Sequence, residues 1–207
     1  MRLATAPVAI LALLLAGCSP SRNGSTTATT GGSGDRYEKI SEVKPGAVIP
    51  AKATLKIGEV DMPVEVGQAQ KGEEMTFTFT AHGQTFETEI YKVNDSGFSL
   101  EDAAGERYEQ ALPLLKFPMN VGDTWSWTGS MVAGDEPHKA SATVTTSSET
   151  ILLPATGSVP SILVVVDLAI EGGGPKPATR KLRFWFVPGK GLLKRQFGSA
   201  SSREPLE

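Results

Sequence analysis

Few residues in this 207-residue chain are of the types that carry chemistry. Glu87 and Glu89 stand two apart in an alternating stretch. They therefore share one strand face, close to the separation of glycosidase carboxylates. A solvated sheet edge accounts for the pair equally well, and that is the reading expected. His82 falls in a turn signal and His138 near a loop; they are the only two histidines. Neither has a partner at metal-ligand spacing or a nucleophile elbow beside it. Gly172-Gly173-Gly174-Pro175-Lys176 is glycine-rich, yet it lacks the spacing and the Lys-Ser/Thr of a phosphate loop. It reads as a connection. No acid, base and nucleophile come together, so the chain is expected to be no enzyme and to hold no metal or cofactor.

Cys18 is different. It is the only cysteine, and it ends the run Leu15-Ala16-Gly17-Cys18. Met1-Arg2 begins the chain with a positive charge, and Leu3 to Leu15 is apolar or small apart from Thr5 and Pro7. A run of about a dozen residues fits the core of a secretory signal, whereas a membrane-spanning helix needs roughly 20. The last four residues closely resemble the bacterial lipobox. That resemblance implies a diacylglycerol on the Cys18 thiol, cleavage at the Gly17–Cys18 bond, and acylation, typically by palmitate, of the new amine. The residue types suit these steps: small side chains admit a peptidase, and a thiol forms the thioether. Residues 1–17 then read as a signal peptide. The mature chain would be lipid-anchored at the cell membrane or outer membrane, facing the periplasm or the exterior. A single cysteine cannot bridge internally, so the domain must hold together by its core.

Without residues 1–17 the chain loses Arg2, leaving 19 basic against the 23 acidic residues, a net charge of −4. Mild acidity with no basic cluster excludes nucleic acid as an expected partner. From residue 18 to residue 35 nearly everything is Ser, Thr, Gly, Asn or Pro, so this stretch reads as a flexible tether behind the lipidated cysteine. The globular domain is expected over residues 36–198, roughly 160 residues and a normal size for one core. The polar tail, residues 199–207, is expected to be disordered.

Within the domain the dominant period is two. Met75, Phe77, Phe79 and Ala81 alternate with Glu74, Thr76, Thr78 and Thr80. Trp125, Trp127 and Met131 alternate with Thr124, Ser126, Thr128 and Ser130. Ala140, Ala142 and Val144 follow the same rule, as do Leu182, Phe184 and Phe186. This pattern marks antiparallel strands with one wet face. Ile162 to Val166 is continuously apolar and predicts a strand buried on both faces. His82-Gly83, Asn94 to Gly97, Ala104-Gly105 and Pro188 to Gly191 punctuate the runs as turns. Tyr108, Leu112 and Leu115 have helical spacing, but Pro113 breaks it. With little helix to cover its apolar face, the sheet must curl on itself. The predicted fold is all-β: a curled antiparallel sheet, half-barrel or barrel-like, with few or no helices.

Three segments carry a second resemblance: Leu115-Lys116-Phe117-Pro118 leading to Val121-Gly122-Asp123-Thr124-Trp125; Leu153-Pro154-Ala155; and Phe184-Trp185-Phe186-Val187-Pro188-Gly189-Lys190-Gly191-Leu192-Leu193-Lys194. They are similar to the TapB-like exported β-proteins, a family of unknown function shaped like lipoprotein-carrier half-barrels. The likeness covers about the C-terminal half and departs at Ala155-Thr156-Gly157-Ser158. It implies a fold and a compartment, and no catalytic residues.

Two aromatic positions remain. Trp125 and Trp127 share the apolar face and are expected in the core. Trp185 falls on the face opposite Phe184 and Phe186, beside Arg183. That pair is the candidate surface for a ligand or partner. Three functions are open: a carrier holding an apolar ligand or lipoprotein inside the curled sheet, an adaptor touching envelope proteins or polysaccharide, and, least favoured, a hydrolase. A side-chain-filled interior would count against the carrier, and an open apolar cavity would favour it.

Overall fold

The computed structural model describes residues 35–43, 51–154, 156–172, 176–198 and 201–205. Cys18, the signal segment and the tether up to residue 34 lie outside them. A short ribbon pairs β1 (Arg36–Tyr37) with β8 (Met119–Asn120). The other twelve strands are β2 (Ala51–Ile57), β3 (Val60–Lys71), β4 (Glu74–Ala81), β5 (Gln84–Asn94), β6 (Gly97–Ala103) and β7 (Glu106–Lys116), then β9 (Thr124–Ala133), β10 (Glu136–Leu153), β11 (Gly157–Ile170), β12 (Ala178–Val187), β13 (Gly191–Phe197) and β14 (Ser201–Pro205). They close an antiparallel barrel in the order β10-β11-β12-β13-β14-β2-β3-β4-β5-β6-β7-β9. The sheet does curl on itself, as its alternation and lack of covering helix require.

Alternation sets the two faces. Along β4, Met75, Phe77, Phe79 and Ala81 are buried, and along β10 Ala140, Ala142 and Val144 are buried between exposed Ser141, Thr143 and Thr145. Apolar residues thus fill the inside, and Thr, Ser, Lys and Glu cover the outside. This is the reverse of a membrane-spanning barrel, which shows lipid an apolar band. Type I′-like turns join the hairpins where His82 (φ 51) precedes Gly83 (φ 75) and where Ala104 (φ 55) precedes Gly105 (φ 77). Both residues of such a turn need positive φ, and this handedness matches the strand twist.

One seam is only partly backbone. The β7–β9 ladder stops at Tyr108↔Met131. Beyond it, the Ser130 amide donates to Gln110 Oε1 (2.8 Å) and Trp125 Nε1 donates to the Pro113 carbonyl (3.0 Å). Side chains continue the closure there.

The N-terminal segment covers one end. Ile40 and Val43, around a 3-10 turn at Ile40–Glu42, belong to the main core. The amides of Gly189 and Gly191 donate to the carbonyls of Glu42 (3.1 Å) and Val43 (2.9 Å), tying the segment to the β12–β13 turn.

Two expectations need correction. The run Ile162 to Val166 alternates after all: Ile162, Val164 and Val166 are buried, while Leu163 and Val165 are half-buried. Its outward residues are apolar because Leu163 lies under a second, external cluster. The tail, residues 199–207, was expected to be disordered, but Ser201–Pro205 forms β14, paired with β13 and with β2. Its ordering comes from backbone ladders on both sides and from one inward side chain, Arg203, which is 2% exposed.

Candidate functional site

The unusual chemistry lies inside the barrel. Glu89 on β5 is fully buried, as is Arg195 on β13, and Arg203 on β14 nearly so. Strands β13 and β14 stand across the interior from β5. Arg195 Nε hydrogen-bonds Glu89 Oε1, and Arg195 Nη2 reaches Glu87 Oε1 at 2.7 Å. Tyr91, one pleat further along β5, donates its hydroxyl to Glu89 Oε2 at 2.9 Å. Arg203 Nη2 donates to the Leu192 carbonyl (3.0 Å), and Arg203 Nη1 lies 3.7 Å from Glu89 Oε2. Arg203 Nε has no hydrogen-bond partner.

Register explains why both carboxylates are needed. Arg195 and Arg203 are direct cross-strand partners, and like charges in that position repel. Two cations side by side in an apolar interior are tolerable only with anions against them. Glu87 and Glu89 make the cluster neutral. Its walls are aromatic: Arg195 lies 4.7 Å from the Phe197 ring and 5.7 Å from Phe79, and Arg203 lies 5.0 Å from Phe77 and 5.3 Å from Phe79. Cation–π contact replaces part of the hydration each guanidinium gives up.

Burial sets the direction of each pKa. It is the largest influence on Arg195 and acts to lower it, but Glu89 and Glu87 outweigh it and the value is raised. For Arg203 burial prevails and the value is lowered, with Arg195 pushing the same way. Burial raises Glu87, opposed by Arg195. Burial also raises Tyr91, and the Glu89 charge adds to it.

The solvated-edge reading of Glu87 and Glu89 is therefore overturned. The two carboxylates do share a face, but it is the inner one, and both are bound to the same guanidinium. This arrangement ties opposite walls together. A second cross-barrel pair, Glu106 on β7 with Arg180 on β12, sits nearer the rim, where Arg180 is 38% exposed. On the other side of the Arg195 level from Arg180, Phe98 on β6 meets Phe186 on β12, ring centroids 5.0 Å apart.

Trp185 and Arg183 do not form an open surface. Trp185 points outward as alternation demands, yet it is only 6% exposed. Its outer cluster contains Ile151, Leu153 and Val187, with Val159, Leu163 and Leu193 packed against them. Its Nε1 donates to Glu149 Oε2 at 2.5 Å, and Lys194 Nζ stands 4.7 Å from the ring. The long β10–β11 hairpin supplies the cover, which period-two reading of β12 alone cannot reveal. Arg183 is half-buried and donates to Gln196 Oε1 at 3.3 Å. Trp127 is in the core, as expected, and Trp125 packs against its edge.

His82 is exposed in its turn and His138 is half-buried on β10. Among the described residues no three His, Cys, Asp or Glu are grouped to hold a metal ion. A surface depression of about 420 Å³ on β11 and β12 is lined by Asp167, Leu168, Ala169, Thr179, Arg180 and Lys181.

Protein-family comparison gives no match, and no curated protein matches the chain in sequence. Solved structures do resemble it in shape. One, from Bacteroides fragilis, is described as an exported protein with a YmcC-like fold; it is 14% identical, with TM-score 0.46, over 79% of this chain and 96% of that one. A protein from Parabacteroides distasonis, described as a lipoprotein, is 9% identical with TM-score 0.48, covering 81% and 97%. The hypothetical lipoprotein YmcC of Escherichia coli K12 is 12% identical with TM-score 0.45, covering 76% and 86%.

Proposed function

We propose that the chain is a lipid-anchored, non-enzymatic interaction module of the bacterial cell envelope that works through its outer surface. The anchor rests on Leu15-Ala16-Gly17-Cys18, which lie outside the described residues. The choice of adaptor over carrier rests on one observation: side chains cross the barrel from wall to wall. Phe98 meets Phe186, Arg195 meets Glu89, and Arg180 meets Glu106. A carrier of apolar ligands needs that volume for its cargo.

Native mass spectrometry of the protein extracted from its own membrane tests the choice. The expected mass is that of the chain from Cys18 with its acyl groups and nothing more. A lipid that stays bound through desolvation and leaves only on unfolding would restore the carrier. The anchor has its own test. Cys18→Ala should abolish labelling by radioactive fatty acid, and label retained by that variant would remove the lipobox assignment.

A further inference from the structure

β14 is an odd member of the barrel. At five residues it is the shortest of the twelve barrel strands, and it pairs with β13 over only three positions, Arg195↔Arg203, Gln196↔Ser202 and Phe197↔Ser201. None of Ser201, Ser202, Arg203, Glu204 and Pro205 has a large apolar side chain to bury. Hydrophobic burial, the usual reason a terminal strand stays in place, is missing here. The inward side chain is instead a guanidinium whose Nε has no partner and whose ion pair to Glu89 is long, 3.7 Å. It also faces a like charge, Arg195, directly across the ladder.

The slot that holds this strand is nevertheless specific. Inside, Arg203 meets the Glu89 carboxylate, the Leu192 carbonyl and the faces of Phe77 and Phe79, a set that recognises a guanidinium by charge, hydrogen bonding and stacking. Outside, the next residue, Glu204, pairs with Lys194 at 2.9 Å. On either side, β13 and β2 supply the backbone ladder.

We propose that the slot between β13 and β2 is a strand-addition site for an extended protein segment carrying an arginine followed by an acidic residue, occupied here in cis by β14. A partner strand brings its own backbone hydrogen bonds, and the alternate side chains decide whether it fits. The inward position demands the guanidinium, and the outward position favours a carboxylate. This deepens the adaptor reading, on which it rests, by naming the chemistry of the partner.

The test uses the full chain with Cys18→Ser, so that introduced thiols are the only ones, and with Lys56→Cys and Ser202→Cys. These two positions are cross-strand partners on β2 and β14 and lie on the outer face. Facing residues of an antiparallel pair come within disulfide reach. The probe is a fluorescent synthetic peptide with the sequence of residues 199–207, read by anisotropy. The reduced chain should bind it, the oxidised chain, whose β14 is locked, should not, and reduction should restore binding. A peptide carrying Arg203→Gln should bind at least tenfold more weakly, because it removes the guanidinium that meets Glu89, the Leu192 carbonyl and the faces of Phe77 and Phe79. No binding by the reduced chain, equal binding by the oxidised chain, or indifference to Arg203→Gln would each overturn the proposal. In the unaltered chain, amide hydrogen exchange should be faster at Ser202, Arg203 and Glu204 than at Val164 and Val166 in the centre of β11. Equal protection would mean that β14 does not leave its slot. These readouts do not depend on the anchor or on cargo, so the site can fail while the adaptor reading survives, and a bound lipid can remove the adaptor while the slot remains.

Discussion

The cluster around Glu89 and the patch around Trp185 are both buried, yet they are built in opposite ways. Inside the barrel, charge sits at the centre and aromatic rings surround it: Glu89, Arg195 and Arg203 within Phe77, Phe79 and Phe197. On the outer face, an aromatic ring sits at the centre with charge around it: Trp185 between Glu149 and Lys194. The difference follows from access to water. An outer patch can place its charges at the rim, where they stay partly hydrated, and use the ring for contact. An interior charge has no rim. It must bring a counter-charge with it, because an unpaired ion in an apolar medium is far more costly than a lost contact.

Removing the interior counter-charge is therefore the largest perturbation. Glu89→Ala leaves Arg195 and Arg203 opposite each other with only Glu87 nearby, and breaking a buried pair from one side costs about 3–5 kcal/mol. A urea midpoint that barely moves would mean that water reaches the cluster. Trp127→Ala comes next. It empties a core position that is 8% exposed, for a loss of about 3 kcal/mol at the lower end of the usual range. Trp185→Ala should cost less, about 2 kcal/mol, because the β10–β11 hairpin lies at the surface and solvent can refill part of the space. A loss equal to that of Trp127→Ala would make the outer patch a second core rather than a covered surface. Thr128→Ala, on the exposed face of β9 next to Trp127, should stay within about 0.5 kcal/mol.

A pH experiment sharpens the same contrast. Burial, opposed by Arg195, raises the Glu87 carboxyl from its ordinary value, so the folded chain keeps this proton more tightly than the unfolded chain does. The stability contributed by this group is complete below the usual range and is lost as pH rises through the folded value. Glu87→Gln carries no such titration. The stability of Glu87→Gln relative to the unaltered chain should therefore improve as pH rises from the ordinary glutamate pKa through the raised folded value. A difference that runs the other way would show that the Arg195 pair outweighs burial at Glu87. Trp185→Ala, measured alongside, perturbs the outer patch and leaves the Glu87 titration in place.

Part of the site could be seen in the sequence. Glu87 and Glu89 share a face in any strand reading, and alternation through Phe197 puts Arg195 on the apolar side of β13. A charge on an apolar face is a signal in its own right, since it must be paired if the strand is real. Arg203 gave no such sign. It sits among Ser, Glu and Pro, where composition alone predicts an unstructured tail, and only the two neighbouring ladders turn that tail into a strand.

What the sequence by itself determined is the period of two, the turns and the shortage of helix. A sheet with one apolar face and nothing to cover it has to curl, so the all-β barrel-like fold follows from local pattern and elementary burial. Tertiary structure alone decided which curled face met which. It set Glu89 against Arg195 across the interior, laid the β10–β11 hairpin beside Trp185, and placed Ser201–Pro205 between β13 and β2. Each of these contacts joins residues far apart along the chain, and alternation along one strand carries no information about what stands opposite it.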